Sequence, residues 1–396
     1  MVKQLKVLQV IDTLGMGGAE TWLMEVLRVW GSDTTRNPQM DFLVTSGKAG
    51  FFDEEARQLG AKIFYAPFQR NHLINFAREF RRILSAGSYD AIHDHSDYVS
   101  GWHYFLGGSY LPSVRITHVH NPSYQIKNNY GVTLMRRLTA AIGKKLVARY
   151  ATYIAGTSRQ VLEEYGFYGS PFSCIPKGAL HCGFRPERFL GEPEKAKTKL
   201  CEEFGWPTDS KIILFAGRMD QSLDPQHPQT HKNSGAAVEI GIECLKTEKK
   251  IRMIMAGSPR ERVMTLLQQR ITEAGCHGKI YLAGIRRDIA QLMLGSDILL
   301  FPSRGEGLGM VAVEAQAAGT PVVASTAVPR ECVVIPELVH FVPLTKSFKE
   351  WSEIVIRTIN RGRGDTKSCN RRITDSAFAI RNSALRLQNL YNQKTS

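Results

Sequence analysis

The sequence has no Cys-x-x-Cys pair and no cysteine before Cys174, and its total of seven cysteines is odd. That pattern excludes a disulfide framework and a cysteine-based zinc site and points to reduced thiols in a cytosolic protein. No stretch reaches the ~18 consecutive apolar residues of a membrane-spanning helix. The first apolar run, KVLQVI, lacks the longer core and small-residue cleavage site of a signal peptide, so a soluble protein is expected, or one peripheral at the inner face of the cell membrane. Repeats of 20–50 residues and low-complexity tracts are absent too, which excludes solenoids and disordered arrays.

What is present is length and positive charge. With 396 residues and 43% apolar content the chain can bury two cores, so two domains are expected. A net charge of +14 calls for an anionic partner, and it is shared evenly between the two halves of the chain. The densest stretch, Lys127–Arg149, carries no acid and has Leu134, Leu138, Ala141, Ile142 and Leu146 at helical spacing. This reads either as an ordinary domain helix with a solvated basic face or as a surface that meets anionic lipid.

Short β-branched runs alternate with amphipathic stretches, the pattern of β-α-β units and a parallel sheet. One series runs through KVLQVI, MDFLVT, KIFYAP, DAIHDH, VRITHVH and TYIAGTS; a second follows the polar stretch after Gly191 with KIILFAG, IRMIMAG, KIYLAG, DILLFPS, PVVAS and HFVPL. The expected fold is therefore α/β, with two doubly wound, Rossmann-like domains, 1–190 and 191–376, facing across a cleft. Ligands of such sheets sit at the carboxyl ends of the strands, so the loops that follow strands are where chemistry belongs.

DILLFPS leads into RGEGLG and then a helix, a turn whose amides and helix dipole suit a diphosphate. Glu306 lies in this loop and Glu314 about two turns into the helix among apolar neighbours, where an acid has little structural purpose. The segment EGLGMVAVEAQAAGTPVVAS resembles the E-x7-E motif of the retaining glycosyltransferases of family 4, which have the two-domain GT-B fold. FAGRMD with a later HKN, YLAGIRRDIAQLM, IPKGALHCGFRPERF and GMGGAET add to the likeness in the family's order along nearly the whole chain. The overall flavour is similar to bacterial enzymes that build capsular and exopolysaccharides.

The resemblance implies a nucleoside diphosphate sugar, a UDP- or GDP-sugar, as co-substrate and a glycan or lipid-linked hydroxyl as acceptor, with no obligatory metal or other cofactor. Asp-x-Asp, the mark of the metal-bridged donor site in the other large glycosyltransferase fold, does not occur. Carried over by position, Arg218 and Lys232 neutralise the diphosphate, Glu306 binds hydroxyls of the transferred sugar and Glu314 those of the ribose. The amides of Gly307, Leu308 and Gly309 face the phosphates, and Arg286 lies near the base. The stretch MDQSLDPQHPQT between Arg218 and Lys232 is longer than in many relatives, which bears on Lys232. The segment 377–396 is expected to return to the N-terminal domain.

In the N-terminal half Gly15, Gly17 and Gly18 follow the first strand, but Glu20 stands where a dinucleotide fingerprint needs its last glycine, which argues against NAD. By resemblance this loop, with Gly17 and Gly18, lies by the donor; the plainer explanation is a turn that needs positive φ. His93 and His95 share one strand face, as do His118 and His120. A metal site of four imidazoles is set aside because no liganding carboxylate accompanies them. His120, in THVHNP, is read as the family's contact to donor sugar and reacting centre, with His95 and His118 as core or supporting histidines. A nucleotide-sugar epimerase of the same fold is the enzyme alternative; a basic nucleic-acid-binding protein is the other, and no nucleic-acid-binding motif supports it.

Overall fold

The computed structural model describes residues 4–31, 37–123, 133–224, 227, 229–258 and 261–392. They form two compact units, one of residues 1–185 and 377–396, the other of 186–376.

The first unit holds β1 (Lys6–Ile11), β2 (Gln39–Val44), β3 (Ile63–Tyr65), β4 (Ala91–Asp94), β5 (Val114–Val119), β6 (Tyr153–Gly156) and β7 (Lys177–Ala179). All are parallel, in the order β3-β2-β1-β4-β5-β6-β7. The covering helices are α1 (Gly18–Trp30), α2 (Asp53–Gln58), α3 (Leu73–Gly87), α4 (Ser100–Gly107), α5 (Leu134–Tyr150) and α6 (Arg159–Glu164). From Val7 onward β1 is buried to its end, as expected of a parallel strand covered on both faces.

The second unit repeats the plan with β8 (Lys211–Ala216), β9 (Ile251–Ala256), β10 (Ile280–Gly284), β11 (Ile298–Phe301), β12 (Val322–Ser325) and β13 (Val339–Val342), ordered β10-β9-β8-β11-β12-β13 and again parallel. Its helices are α7 (Pro193–Phe204), α8 (Ser234–Thr247), α9 (Glu261–Glu273), α10 (Ile289–Gly295), α11 (Met310–Ala317), α12 (Phe348–Arg361) and α13 (Thr366–Thr374). A capping box of Ser347 and Glu350 starts α12, whose Trp351, Val355 and Ile359 join the core beneath β8 and β9.

The changeover falls a little before Gly191 because Pro186 already belongs to the second unit: Asn370 Nδ2 donates to its carbonyl at 2.6 Å. The returning helix α14 (Ile380–Tyr391) packs on α1 of the first unit, where Trp22 Nε1 donates to Ser383 Oγ at 2.9 Å. Trp22 is buried, 1% exposed, between α14 and the strand ends that carry His93, His95 and His118. All seven cysteines are free. Among the described residues no helix is long and apolar enough to cross a membrane.

Helix α5 differs from an ordinary domain helix. Gly143 and Val147 are its buried positions, whereas Leu134, Leu138 and Ile142 stand exposed along one stripe with Met135 beside them. Arg136, Arg137, Lys145 and Arg149 are exposed, but Lys144 turns inward and donates to the Tyr165 carbonyl at 2.9 Å, so it does not belong to the basic face. Lys127 lies outside the described residues.

Candidate active site

Strand order reverses direction between β8 and β11 in the second unit, and the loops after these two strands carry the charged side chains. This is the switch point at which open α/β sheets bind ligands. The loop after β8 is closed by one buried acid: Asp220 Oδ1 accepts from the amides of His231 and Lys232 at 2.7 and 2.8 Å, and Oδ2 accepts from the amide and hydroxyl of Ser234 at 2.7 and 2.9 Å. The long stretch between Arg218 and Lys232 is thereby pinched at its base; Pro225, Gln226 and Pro228 within it lie outside the described residues. Pinching brings Lys232 back over the strand end, where its alkyl chain lies against Gly217.

Lys232 Nζ reaches both oxygens of Glu306, at 2.7 and 2.9 Å, in a pair whose side chains are 22% and 12% exposed. The Arg304 amide donates to the His231 carbonyl at 2.8 Å and Asn233 Nδ2 to that of Pro302 at 3.2 Å, so the two loops are tied by backbone as well as by charge. Arg218 is exposed, and no carboxylate pairs with it among the described residues. Burial lowers the pKa of His231, and the charges of Asp220, Arg218, Glu306 and Lys232 all act on that ring.

Behind the pair, Gly309 precedes α11 at φ 92°, where a Cβ would stand 2.9 Å from Val328 Cγ1 and 3.0 Å from Phe301. Only glycine fits both the left-handed backbone and the space. Gly307 is partly exposed, Leu308 is buried, and the Ser303 hydroxyl is buried without a hydrogen-bond partner among the described residues. Glu314 has no ion pair among the described residues; burial raises its pKa to about 7, with the Arg188 charge acting the other way. Arg286 is committed elsewhere in the unit: Asp288 holds it at 2.6 and 2.8 Å and Glu203 pairs with it bidentately. These hydrogen bonds keep its pKa raised, and its charge is already balanced.

Two features are not evident from sequence reasoning. Asp220 is visible within FAGRMD, but its four hydrogen bonds depend on residues beyond the long stretch. The three strand ends FAG, MAG and LAG read as strands alone, yet their glycines set a close backbone approach. Gly257 lies so near Gly217 that a Cβ would meet the Gly217 carbonyl oxygen at 1.7 Å, and its amide donates to the Gly284 carbonyl at 2.7 Å.

In the first unit the corresponding switch point lies between β1 and β4. None of Gly15, Gly17 and Gly18 takes a positive φ, so a turn demanding glycine conformation does not explain them. A Cβ at Gly17 would meet only the carboxylate end of Glu20, a flexible side chain that can move aside, and Gly18 faces open space, so neither position demands glycine by space. His93, His95 and His118 are buried and come together with His120; the ring centroids of His95 and His120 are 5.0 Å apart and those of His118 and His120 are 4.0 Å apart. Burial lowers all four pKa values, that of His120 to about 3, so the rings are neutral at physiological pH. Asp97, itself at φ 51°, accepts from the His120 amide at 2.9 Å and from Asn121 Nδ2 at 3.2 Å and thus shapes the THVHNP turn. Burial pushes its pKa up to about 6.

Two parallel-sheet α/β units of this strand order are the architecture of the GT-B glycosyltransferases. The solved structures with this fold include the Anabaena protein Alr3699/HepE in complex with UDP and glucose (TM-score 0.73, 18% identity, 98% of this chain and 99% of that one) and a glycosyltransferase from Rickettsia africae (TM-score 0.75, 17% identity, 98% of each). Other complexes of the Anabaena protein hold UDP or UDP-glucose. The family description "Glycosyltransferase Family 4" matches residues 16–179 and "Glycosyl transferases group 1" matches 210–357. Between them they take in most of the chain, which belongs to the family 4 glycosyltransferases. EpsF of Bacillus subtilis (strain 168), named provisionally as a glycosyltransferase, is 23% identical over 99% of this chain and 97% of its own length. A D-inositol 3-phosphate glycosyltransferase of Xylanimonas cellulosilytica is 27% identical over 64% of this chain and 60% of its own.

Proposed function

We propose that the chain is a retaining hexosyltransferase that moves a sugar from a nucleoside diphosphate sugar to a hydroxyl of a glycan or lipid-linked acceptor, in the cytoplasm, during surface polysaccharide synthesis. The observation that carries this reading is the Lys232–Glu306 pair spanning the β8/β11 switch point. A diphosphate arriving there offers Lys232 a more highly charged partner and releases the Glu306 carboxylate to accept hydroxyls of the sugar. The acceptor oxygen then bonds to the anomeric carbon on the same face from which the diphosphate departs, as the bond from that carbon to the diphosphate breaks, and the acceptor's proton passes to the leaving phosphate oxygen. Negative charge grows on the leaving oxygen, and Arg218, Lys232 and the amides of Gly307, Leu308 and Gly309 stabilise it, the kind of term that usually dominates such barriers. With two fixed cations in that role, transfer needs no metal ion.

Glu314 accepts the ribose hydroxyls, which favour its charged form against burial. The Arg286 loop meets the base, through the face or backbone of a guanidinium held by two acids rather than through free charge. His120, Gly17 and Gly18 contact the sugar and reacting centre. The UDP and UDP-glucose bound by the Anabaena relative favour a uridine donor over a guanosine one. The exposed stripe Leu134, Leu138 and Ile142, flanked by Arg136, Arg137, Lys145 and Arg149, suits an anionic bilayer carrying a lipid-linked acceptor.

The test is turnover of UDP- and GDP-hexoses with lipid-linked and glycan acceptors in excess EDTA, with the anomeric configuration of the product read by NMR. A retained configuration is expected. An inverted product, or transfer that strictly requires a divalent ion, would sink this mechanism.

A further inference from the structure

Four histidines of the first unit, His93, His95, His118 and His120, are joined to residues near both ends of the chain by a single run of hydrogen bonds. From His120 Nε2 it passes to His95 Nδ1 (2.8 Å), from His95 Nε2 to Gln9 Oε1 (2.9 Å), from Gln9 Nε2 to Tyr391 Oη (2.8 Å), from Tyr391 Oη to His93 Nδ1 (2.8 Å), and from His93 Nε2 to His118 Nδ1 (3.1 Å). Gln9 is on β1, His93 on β4, His118 on β5 and Tyr391 at the end of α14. Trp22 packs edge-on against His93, His95 and His118 and holds the rings in place.

Each link needs one donor and one acceptor, and a neutral imidazole has one of each. The rings are neutral, so the direction of one link decides the next. The Gln9 oxygen accepts from His95 Nε2–H, which leaves His95 Nδ1 bare to accept from His120 Nε2–H. On the other side the Gln9 amide N–H donates to Tyr391, whose own O–H then donates to His93 Nδ1, since with the amide in this orientation no other acceptor faces the buried phenolic hydrogen among the described residues. His93 Nε2–H donates in turn to His118 Nδ1. With the Gln9 amide in this orientation all four rings carry their proton on Nε2, and that of His118 is buried with no hydrogen-bond partner among the described residues. Turning the Gln9 amide over reverses every link and moves all four protons to Nδ1, so this amide is the point at which the whole run takes its direction.

We propose that Gln9, acting through His95 and held in orientation by Tyr391, is the positioning residue that sets the tautomer of His120 and leaves its Nδ1 bare as a hydrogen-bond acceptor for a hydroxyl of the bound sugar. The inference rests on the reading of His120 as a donor-sugar contact. Its substance is that a residue of the first strand and one of the last helix control a nitrogen neither touches. A shared metal ion is the competing occupant of these rings, since nitrogens of His93, His95 and His118 lie within 4.8 Å of one another. The N···N separations favour protons, because 3.1 Å between His93 and His118 and 2.8 Å between His95 and His120 are hydrogen-bond distances.

The test is long-range 1H–15N NMR of histidine-labelled full-length protein at neutral pH, on the wild type, Tyr391→Phe and Gln9→Leu, with donor kinetics on the same samples. Four neutral Nε2–H rings are expected in the wild type. In Tyr391→Phe the His120 signals should divide between tautomers, and kcat should fall about 5- to 20-fold with the donor KM changed less than about twofold. Wild-type rings in the Nδ1–H form, His120 unmoved in both variants, or N–H signals replaced by stoichiometric bound metal would each overturn the proposal. A tautomer shift without any change in kcat would keep the proton order but overturn the reading of His120 beneath it, so the two failures are distinguishable.

Discussion

The two sheets share one strand order over six strands, the first adding β7, and gather their candidate site residues near the same topological point, yet with opposite chemistry. At β8/β11 stand an exposed arginine, a lysine–glutamate pair and a glycine-led helix start. At β1/β4 stand neutral imidazoles buried in hydrogen bonds. A position that must receive and release charge keeps its ionic groups near water. One that must present a hydroxyl acceptor in a fixed direction removes charge and locks protons by burial. Under the proposed function, one scaffold would serve a charged leaving group at one switch point and a neutral sugar at the other by changing what caps its strands.

The sharpest way to break the comparison is to neutralise the charged side. Glu306→Gln should lower kcat about 10²- to 10³-fold with the melting temperature unchanged, and Arg218→Ala should cost a similar factor together with nucleotide affinity. A folded Glu306→Gln enzyme with wild-type turnover would remove the charged site from the mechanism. Next in size is Asp220→Ala, which leaves buried donors of the long loop unpaired. It should cost about 2–4 kcal/mol in denaturant unfolding and weaken nucleotide binding about tenfold, whereas a change in stability without one in binding would separate the loop from the site.

Much of this arrangement is legible in the sequence. KVLQVI is β1 residue for residue, and the run from Glu306 to Ser325 announces the loop, the helix and β12. The short β7 escapes notice because Lys177, Gly178 and Ala179 carry no β-branched or aromatic signal. The Lys232–Glu306 pair and the four bonds of Asp220 escape because they join residues far apart in the chain. The array around Gln9 is least visible: a lone glutamine in an apolar strand and a tyrosine near the C-terminus show no pattern until the sheet and α14 bring them together.

Smaller effects sharpen the same contrast. Gly309→Ala combines strain at positive φ with a clash against Val328 and Phe301 and should destabilise by about 1–3 kcal/mol, seen as a lower melting temperature. Glu314 carries a pKa raised from 4.5 to about 7 by burial, so the folded state holds its proton more tightly than the unfolded chain. Stability is therefore fullest below pH ~4.5, falls as the pH climbs toward 7 and levels off above it. Glu314→Gln should abolish that decline, a gain of about 1–2 kcal/mol at pH 8 after allowance for partial exposure, while losing ribose affinity. The smallest effect is on α5: Leu138→Glu should reduce binding to vesicles rich in anionic lipid several-fold without touching transfer to a soluble acceptor, and equal binding by both proteins would leave the stripe without that role.

The most direct measurement is calorimetric titration of UDP, GDP, ADP, dTDP and CMP in EDTA, on the wild type and Arg218→Ala. One nucleoside diphosphate should bind the wild type without magnesium and lose at least about tenfold in affinity to the variant. No binding of any nucleotide to folded protein, or binding indifferent to Arg218, would contradict the assignment of the β8/β11 switch point as the donor site.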